Sequence, residues 1–257
     1  MVSSKPHILV TNDDGIRAPG LLALKYACAA VGDVTVLAPN HNWSASGHVK
    51  TMHKPLRVDQ ITLPDGTQAL TTTGAPSDAV ALAFLGLVDR PIDLVVSGVN
   101  HGANLGHDVT YSGTVTAAME AAISNVPAIA VSLNTREQAD FAPAARFAAS
   151  LAEQLLVHGL PEGTLLNVNV PPLPADDMRG IHVTRMGLRI YRDELVQRVD
   201  PRGKPYYWIG GPAPTGVEQE GTDIWAVANG YISVTPIQLD LTAHDLLDSL
   251  KDWALHV

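Results

Sequence analysis

Residues 8–16, Ile8-Leu9-Val10-Thr11-Asn12-Asp13-Asp14-Gly15-Ile16, decide how the chain is read. Ile8-Leu9-Val10 is β-rich with no polar alternation, the pattern of a strand covered on both faces. Asn12-Asp13-Asp14-Gly15 breaks it, and a helix is expected from about Pro19 to Val31, with Pro19 in the first turn and Gly32 as the stop. The same alternation runs on: a strand at Val34–Leu37 ended by Pro39, a helix near Pro76–Leu87, and a strand at Asp93–Ser97. An Ala-rich helix at Ser112–Asn125, a strand at Ala128–Ser132, a helix at about Phe141–Val157 and a strand at Leu165–Val170 follow. Strands alternating with helices imply right-handed crossovers and a mostly parallel sheet with helices on both faces. The expected class is α/β, a Rossmann-like three-layer fold.

From about Ile181 the texture changes. Ile181, Val183, Thr184, then Tyr206–Ile209, then Ile224–Val227 read as β-formers, broken by Asp200-Pro201-Arg202-Gly203 and Gly210-Gly211-Pro212. Turn residues between such segments predict antiparallel hairpins. The organisation expected is a catalytic core over 1–180, a projecting hairpin-rich segment over 181–229, and a last strand with an amphipathic C-terminal helix, about Ala243 to Leu255, over 230–257.

Composition narrows the function. The 257 residues carry 17 Lys+Arg against 26 Asp+Glu, a net charge of −9. This argues against a non-specific binder of nucleic-acid polymer or of an anionic membrane, which needs clustered cations. No apolar run reaches the ~20 residues of a membrane span, and Met1–His7 leads into the first strand without a signal-peptide core. The single cysteine, Cys28, rules out an internal disulfide. A cytoplasmic protein is the expectation.

Ligands of open parallel sheets bind beyond the carboxyl ends of the strands. Asn12, Asp13 and Asp14 follow the first strand, Ser44 and Ser46 lie in the loop after the second, and Asn100 follows the Asp93–Ser97 strand. Adjacent carboxylates raise each other's pKa unless a cation sits between them, and Arg17 is the only nearby positive charge. Carboxylate, hydroxyl and amide oxygens suit Mg²⁺ or Mn²⁺ better than Zn²⁺. The alternative for the same residues is a helix cap at Asp13 and a turn at Asp14-Gly15. Gly98, Gly102 and Gly106 let backbone approach a ligand closely. Ser112-Gly113-Thr114 opens a helix whose free amides favour an anion such as phosphate; the alternative there is a serine cap with nothing bound. The loop histidines, His41, His48, His53, His101 and His107, form no ligand pair, although His48 or His101 could assist proton transfer.

Val10-Thr11-Asn12-Asp13-Asp14-Gly15-Ile16 with Ala18-Pro19-Gly20 resembles the opening signature of the SurE family of 5′/3′-nucleotidases. Ala38-Pro39 with Ser44, Gly74–Asp78, Ser97–Gly106, Tyr111–Thr114, Leu166–Pro171, Asp200–Gly203, Tyr207-Trp208 and Gly221–Asp223 resemble its later blocks in order, over nearly the whole chain. The resemblance implies one divalent ion (Mg²⁺ or Mn²⁺) per subunit on Asp13, Asp14, Ser44 and Asn100. Phosphate contacts fall on Asn104, Ser112, Gly113 and Thr114, with Asn12 close by. Two departures stand out: Asn40-His41-Asn42-Trp43 intervenes after Ala38-Pro39, and Ser44-Ala45-Ser46-Gly47 makes Ser46 a rival hydroxyl. The activity the resemblance implies is metal-assisted hydrolysis of nucleoside monophosphates, with Asp13, Asp14 and Asn100 catalytic, and with 3′-nucleotidase and exopolyphosphatase as side activities. The implied assembly is a homodimer or homotetramer. Rival readings are a nucleotide-binding regulatory module without turnover, a nucleotide-sugar transferase, and a scaffold whose aspartates only make turns.

Overall fold

The computed structural model describes residues 5–254. Strand β1 is His7–Thr11, helix α1 Pro19–Cys28, β2 Asp33–Pro39, β3 Val58–Thr62, β4 Gln68–Thr72 and α2 Pro76–Leu82, which runs on as a π-helical turn to Leu87. Then come β5 (Leu94–His101), α3 (Gly113–Ile123), β6 (Ala128–Leu133), α4 (Ala142–His158) and β7 (Thr164–Val170). The remainder holds β8 (Ile181–Val183), β9 (Arg189–Ile190), β10 (Glu194–Val199), β11 (Pro205–Gly210), β12 (Thr215–Gly216), α5 (Asp223–Ala228), β13 (Ile232–Gln238) and α6 (His244–Lys251).

Nine of these strands form one sheet in the order β3-β4-β2-β1-β5-β6-β7-β13-β8. From β4 to β7 every neighbouring pair is parallel, with β1 at the centre between β2 and β5. The sheet has the expected class: a mostly parallel α/β, Rossmann-like layer. Ile8 and Val10 point to the face covered by α1 and α4, and Leu9 points to the face covered by α2 and α3. All three are fully buried, which is why that stretch needs no polar alternation. Cys28 is buried in the first of these layers, where desolvation pushes its thiol up to about 12; it is a packing residue.

Where the chain departs from expectation, the causes are local. The β3–β4 hairpin was not foreseen: β3 is short, largely exposed and polar, so no buried pattern marks it. Ile224–Val227 is helix rather than strand. Thr222 caps α5 by accepting the Trp225 N–H at 3.2 Å, and Ile224 and Val227 lie three apart on its buried side. Ile181–Val183 is not half of a hairpin either, because β8 joins the edge of the main sheet parallel to β13. The expected antiparallel hairpin is β10–β11, in register from Glu194–Gly210 to Val199–Pro205, and β9 pairs with β12 at its root. The C-terminal helix is described over His244–Lys251; Leu255 lies outside the described residues. Among the described residues no helix is long and apolar enough to cross a membrane.

Candidate active site

The site lies at the carboxyl ends of β1 and β5, where the α3 N-terminus meets the sheet. Asn12 is fully buried, and its amide closes the turn after β1: Nδ2 donates to the Gly15 carbonyl at 3.1 Å, and Oδ1 accepts the Gly15 N–H at 3.2 Å. Gly15 takes φ +99°, a conformation that favours glycine. This brace leaves the next two side chains facing different partners. Asp13, 3% exposed, turns to α3, where the Thr114 hydroxyl donates to its Oδ1 at 2.5 Å. Gly113 is the reason it fits: a Cβ there would lie 2.7 Å from the Asp13 Cβ and 3.0 Å from Oδ2. Asp14, half-buried, accepts the His101 N–H at 3.1 Å and the Asn42 Nδ2 at 3.3 Å.

Desolvation pushes the Asp13 carboxyl up to about 6; the Thr114 hydrogen bond opposes the shift and the Asp14 charge adds to it. Asp14 is also raised, again by desolvation first, with the His101 amide pulling the other way. Among the described residues neither aspartate forms an ion pair, and Arg17 is exposed without one. Two partly or fully desolvated acids with no protein cation are costly to ionise together, and a hard cation removes that cost. No cluster of three His, Cys, Asp or Glu side chains exists among the described residues. Any ion held by the aspartates would have to take its other protein ligands from amide and hydroxyl oxygens.

Those oxygens are present. Asn100 lies inside β5, not after it, beyond a register shift between Ser97 and Asn100. Its Nδ2 donates to the Gly102 carbonyl at 2.8 Å, and among the described residues Oδ1 has no hydrogen-bond partner. Close packing fixes that bulge: a Cβ on Gly20 of α1 would sit 2.0 Å from the Val99 carbonyl oxygen. The loop after β2 crosses the site because the Trp43 N–H donates to the Asp13 carbonyl at 2.8 Å and the Gly47 N–H to the Tyr111 carbonyl at 3.0 Å. Ser44 is exposed on this loop, its N–H held by the Asn42 Oδ1 at 2.7 Å. The rival Ser46 has a buried Oγ with no hydrogen-bond partner. The loop is moored by Glu120, 7% exposed on α3, which takes His48 at 3.0 Å and Lys50 at 3.2 Å. His48 is thus committed to Glu120.

Against Asp13 stands the N-terminus of α3. Ser112 caps α3 by accepting the Val115 N–H at 3.1 Å, so its hydroxyl is engaged, while Gly113 and Thr114 are the first helical residues, whose amides have no intrahelical acceptor. Asn104, 7% exposed, is gripped by the ends of β6 and β7. Its Nδ2 donates to Ser132 Oγ and its N–H to Asn169 Oδ1, both at 2.8 Å, and its carbonyl accepts Nδ2 of Asn167 and of Asn169 at 2.9 Å each. Ser132, Asn167 and Asn169 were not singled out from sequence as functional residues. The available signal was two asparagines at i and i+2 in a buried strand, where an amide must find partners. Asn42 was missed too. The Gly74–Asp78 block is structural: Asp78 accepts from Thr51 N at 2.8 Å, Thr51 Oγ1 at 2.7 Å and Ala75 N at 2.9 Å.

Two clefts flank His101, whose Nε2 contacts the Glu137 carbonyl at 2.8 Å and whose ring meets Phe141 edge-on at 5.8 Å. One, about 530 Å³, is mostly apolar and lined by Asp14, Pro19, Gly20, Ala139 and Phe141 among others. The other, about 450 Å³, is polar and reaches Asn100.

The sequence model of the family described as "Survival protein SurE" matches residues 8–193. Among curated proteins, the "5'-nucleotidase SurE" of Chloroflexus aggregans is 52% identical over 96% of this chain and 98% of its own. That of Geobacter sulfurreducens is 51% identical over 97% of this chain and 94% of its own. Among solved structures, the SurE protein of Aquifex aeolicus superposes with a TM-score of 0.81 at 42% identity, covering 96% of this chain and 98% of that one.

Proposed function

The chain belongs to the SurE family and is a 5′-nucleotidase, and we propose that it is a metal-dependent phosphomonoesterase with its working centre between Asp13, Asp14, Asn100 and the start of α3. The observation that carries the reading is the facing of a desolvated acid pair, without a protein cation, against a helix N-terminus. Asp13, Asp14, Asn100 and Ser44 would hold one Mg²⁺ or Mn²⁺, with Ser46 the competing hydroxyl. Such an ion supplies charge neutralisation and Lewis-acid activation of water.

The chain's own groups do the rest. Thr114 holds Asp13 in one orientation and the His101 amide does the same for Asp14. The Gly113 amide and the second Nδ2 hydrogen of Asn104 donate to phosphoryl oxygens, where charge shifts during displacement, while the Thr114 amide, like its hydroxyl, faces the Asp13 carboxylate. The Ser112 hydroxyl keeps the helix start in shape, and Asn12 keeps the aspartate turn in shape. The nucleoside fits the apolar cleft beside Asp14, walled by Pro19 and Phe141. Hydrolysis of 3′-nucleotides and of short polyphosphates belongs to the same reading, because the phosphate grip does not read the leaving group.

For assembly the reading is a homodimer or homotetramer built through the 181–229 segment. It is supported by the apolar side chains that the β10–β11 hairpin exposes: Leu195, Tyr207, Trp208 and Ile209.

The test is orthophosphate release from AMP with Mg²⁺ or Mn²⁺, with and without EDTA, for the wild type and Asp13→Asn. Release should cease on chelation, and the variant should lose about 10²–10³-fold in kcat, the usual scale for a preorganised electrostatic group. Undiminished turnover in EDTA, or a fully active variant, refutes the metal-centre assignment.

A further inference from the structure

Apart from Asn100 at its edge, the polar cleft on the far side of His101 is not used by the reaction just described. Asn100, His101, Asn134, Thr135, Arg136 and Arg189 line it, and none of its lining residues is acidic. Two guanidinium groups thus share one small cleft in a chain of net charge −9. Arg189 is fixed: its Nε donates to Asp108 Oδ2 at 2.7 Å and its Nη1 reaches the Pro214 carbonyl at 3.5 Å. The Tyr191 hydroxyl donates to the other Asp108 oxygen at 2.5 Å, so both oxygens of that carboxylate are engaged, and Asp108 is not among the residues lining the cleft. Arg136 is exposed and forms no ion pair among the described residues. The cleft opens directly onto Asn100, beside the acid pair.

Resting on the proposed phosphomonoesterase reading, we infer that this cleft is a second-anion subsite: it binds a phosphoryl group other than the one being cleaved, through Arg136 and Arg189. Arg136 brings a planar guanidinium fork with no ion-pair partner among the described residues, and Arg189, its charge balanced by Asp108, adds its remaining N–H donors; together they match phosphoryl oxygens. The apolar cleft takes a nucleoside and the polar cleft takes charge, so a substrate carrying both a base and a second phosphate spans His101. In the reaction, water adds to the scissile phosphorus, the P–O bond breaks, and the leaving oxygen takes a proton as orthophosphate departs. The second phosphoryl group stays on the arginines unchanged. A nucleoside 3′,5′-bisphosphate would give the nucleoside monophosphate and phosphate; tripolyphosphate would give pyrophosphate and phosphate.

The experiment compares wild type, Arg136→Gln and Arg136→Lys on AMP, adenosine 3′,5′-bisphosphate and tripolyphosphate, with Mg²⁺, at low and high salt. For Arg136→Gln, KM for at least one doubly phosphorylated substrate should rise about tenfold, the loss of one charge-assisted hydrogen bond. KM and kcat for AMP should stay as in wild type, the lysine variant should recover part of the loss, and the effect should shrink at high salt. A rise confined to the bisphosphate assigns the subsite to a ribose-borne phosphate. A rise confined to tripolyphosphate assigns it to a linear chain. Equal losses on AMP and the larger substrates, or no loss on any, overturn the inference. If wild type hydrolyses none of the three, the phosphomonoesterase reading has failed. Calorimetric binding of inorganic pyrophosphate then decides the subsite, weakened by Arg136→Gln if the inference holds and unchanged if it does not.

Discussion

The mouth of the sheet and the β10–β11 hairpin break opposite rules of folding. At the mouth, polar groups are buried: Asn12, Asp13, Asn104, Thr114 and Asn169 are all under a tenth exposed, and each is bonded to another member of the site or its frame. On the hairpin, apolar groups are exposed, with Trp208 at 63% and Ile209 at 83%. Buried polarity costs stability unless it is satisfied, and exposed apolar area gains nothing while it faces water. A chain keeps the first where chemistry needs fixed dipoles, and the second where another surface is to be covered. The two regions should therefore respond differently to the same kind of perturbation.

The largest response expected is to pH in metal-free protein. Asp13 titrates near 6 when folded against its usual 3.8, so the folded state holds this proton more tightly than the unfolded chain does. A raised folded pKa means stability is fully present below about pH 4 and is lost as pH rises through 6. The loss is about 3 kcal/mol, from 1.36 kcal/mol per pH interval. Asp14 moves in the same direction. Urea melts between pH 4 and 7.5 should show the decline, Asp13→Asn should flatten it, and saturating Mg²⁺ should lift the wild type at neutral pH. A pH-independent melt would mean that the carboxyl is not desolvated as described.

Next in size is Gly113→Ala. The added methyl would press on the Asp13 side chain, 2.7 Å from its Cβ and 3.0 Å from Oδ2, so either the aspartate or the helix start must move. Displacement of about 1 Å at a reacting centre costs on the order of a hundredfold in rate. Steady-state kinetics should show that fall in kcat, with a smaller loss of thermal stability. The same substitution at Gly203, a hairpin turn with nothing within 4 Å, should leave kcat unchanged and cost stability only through its φ of +80°. Equal kinetic losses at the two glycines would erase the contrast between the regions.

How far each region could be read from sequence follows the same division. The acid pair and the α3 start were legible because Asp13-Asp14 breaks an apolar strand, and Ser112-Gly113-Thr114 opens a helix, within a few residues of chain. The frame around Asn104 was not, because it joins residues 28, 63 and 65 positions away, and only the register of β6 and β7 brings them together. The central strands were legible because both of their faces are buried. β3 was hidden because its face is largely exposed, and α5 was mistaken for a strand because Ile224–Val227 is β-rich while its cap, Thr222, acts from outside the run. Local patterns report local burial; they say little where partners lie across the sheet.

The smallest effect is expected on the hairpin, and it is the one that tests the assembly reading. Trp208 and Ile209 stand largely in solvent, so replacing both by serine removes little buried area within the chain. Intrachain stability should change by no more than about 0.5 kcal/mol, the scale of surface substitutions. If a second copy covers these side chains, the same pair of changes removes about 2 kcal/mol or more per subunit of association, since large aromatic and aliphatic anchors dominate interfaces. Light scattering would then drop from a multiple of 27.2 kDa toward that mass, while kcat per subunit, which the proposed centre at the mouth of the sheet would set, holds. A wild type that already scatters as 27.2 kDa at working concentration excludes the dimer and tetramer. The hairpin's exposed apolar surface would then be uncovered in solution, and the contrast drawn between the two regions would hold only for the mouth of the sheet.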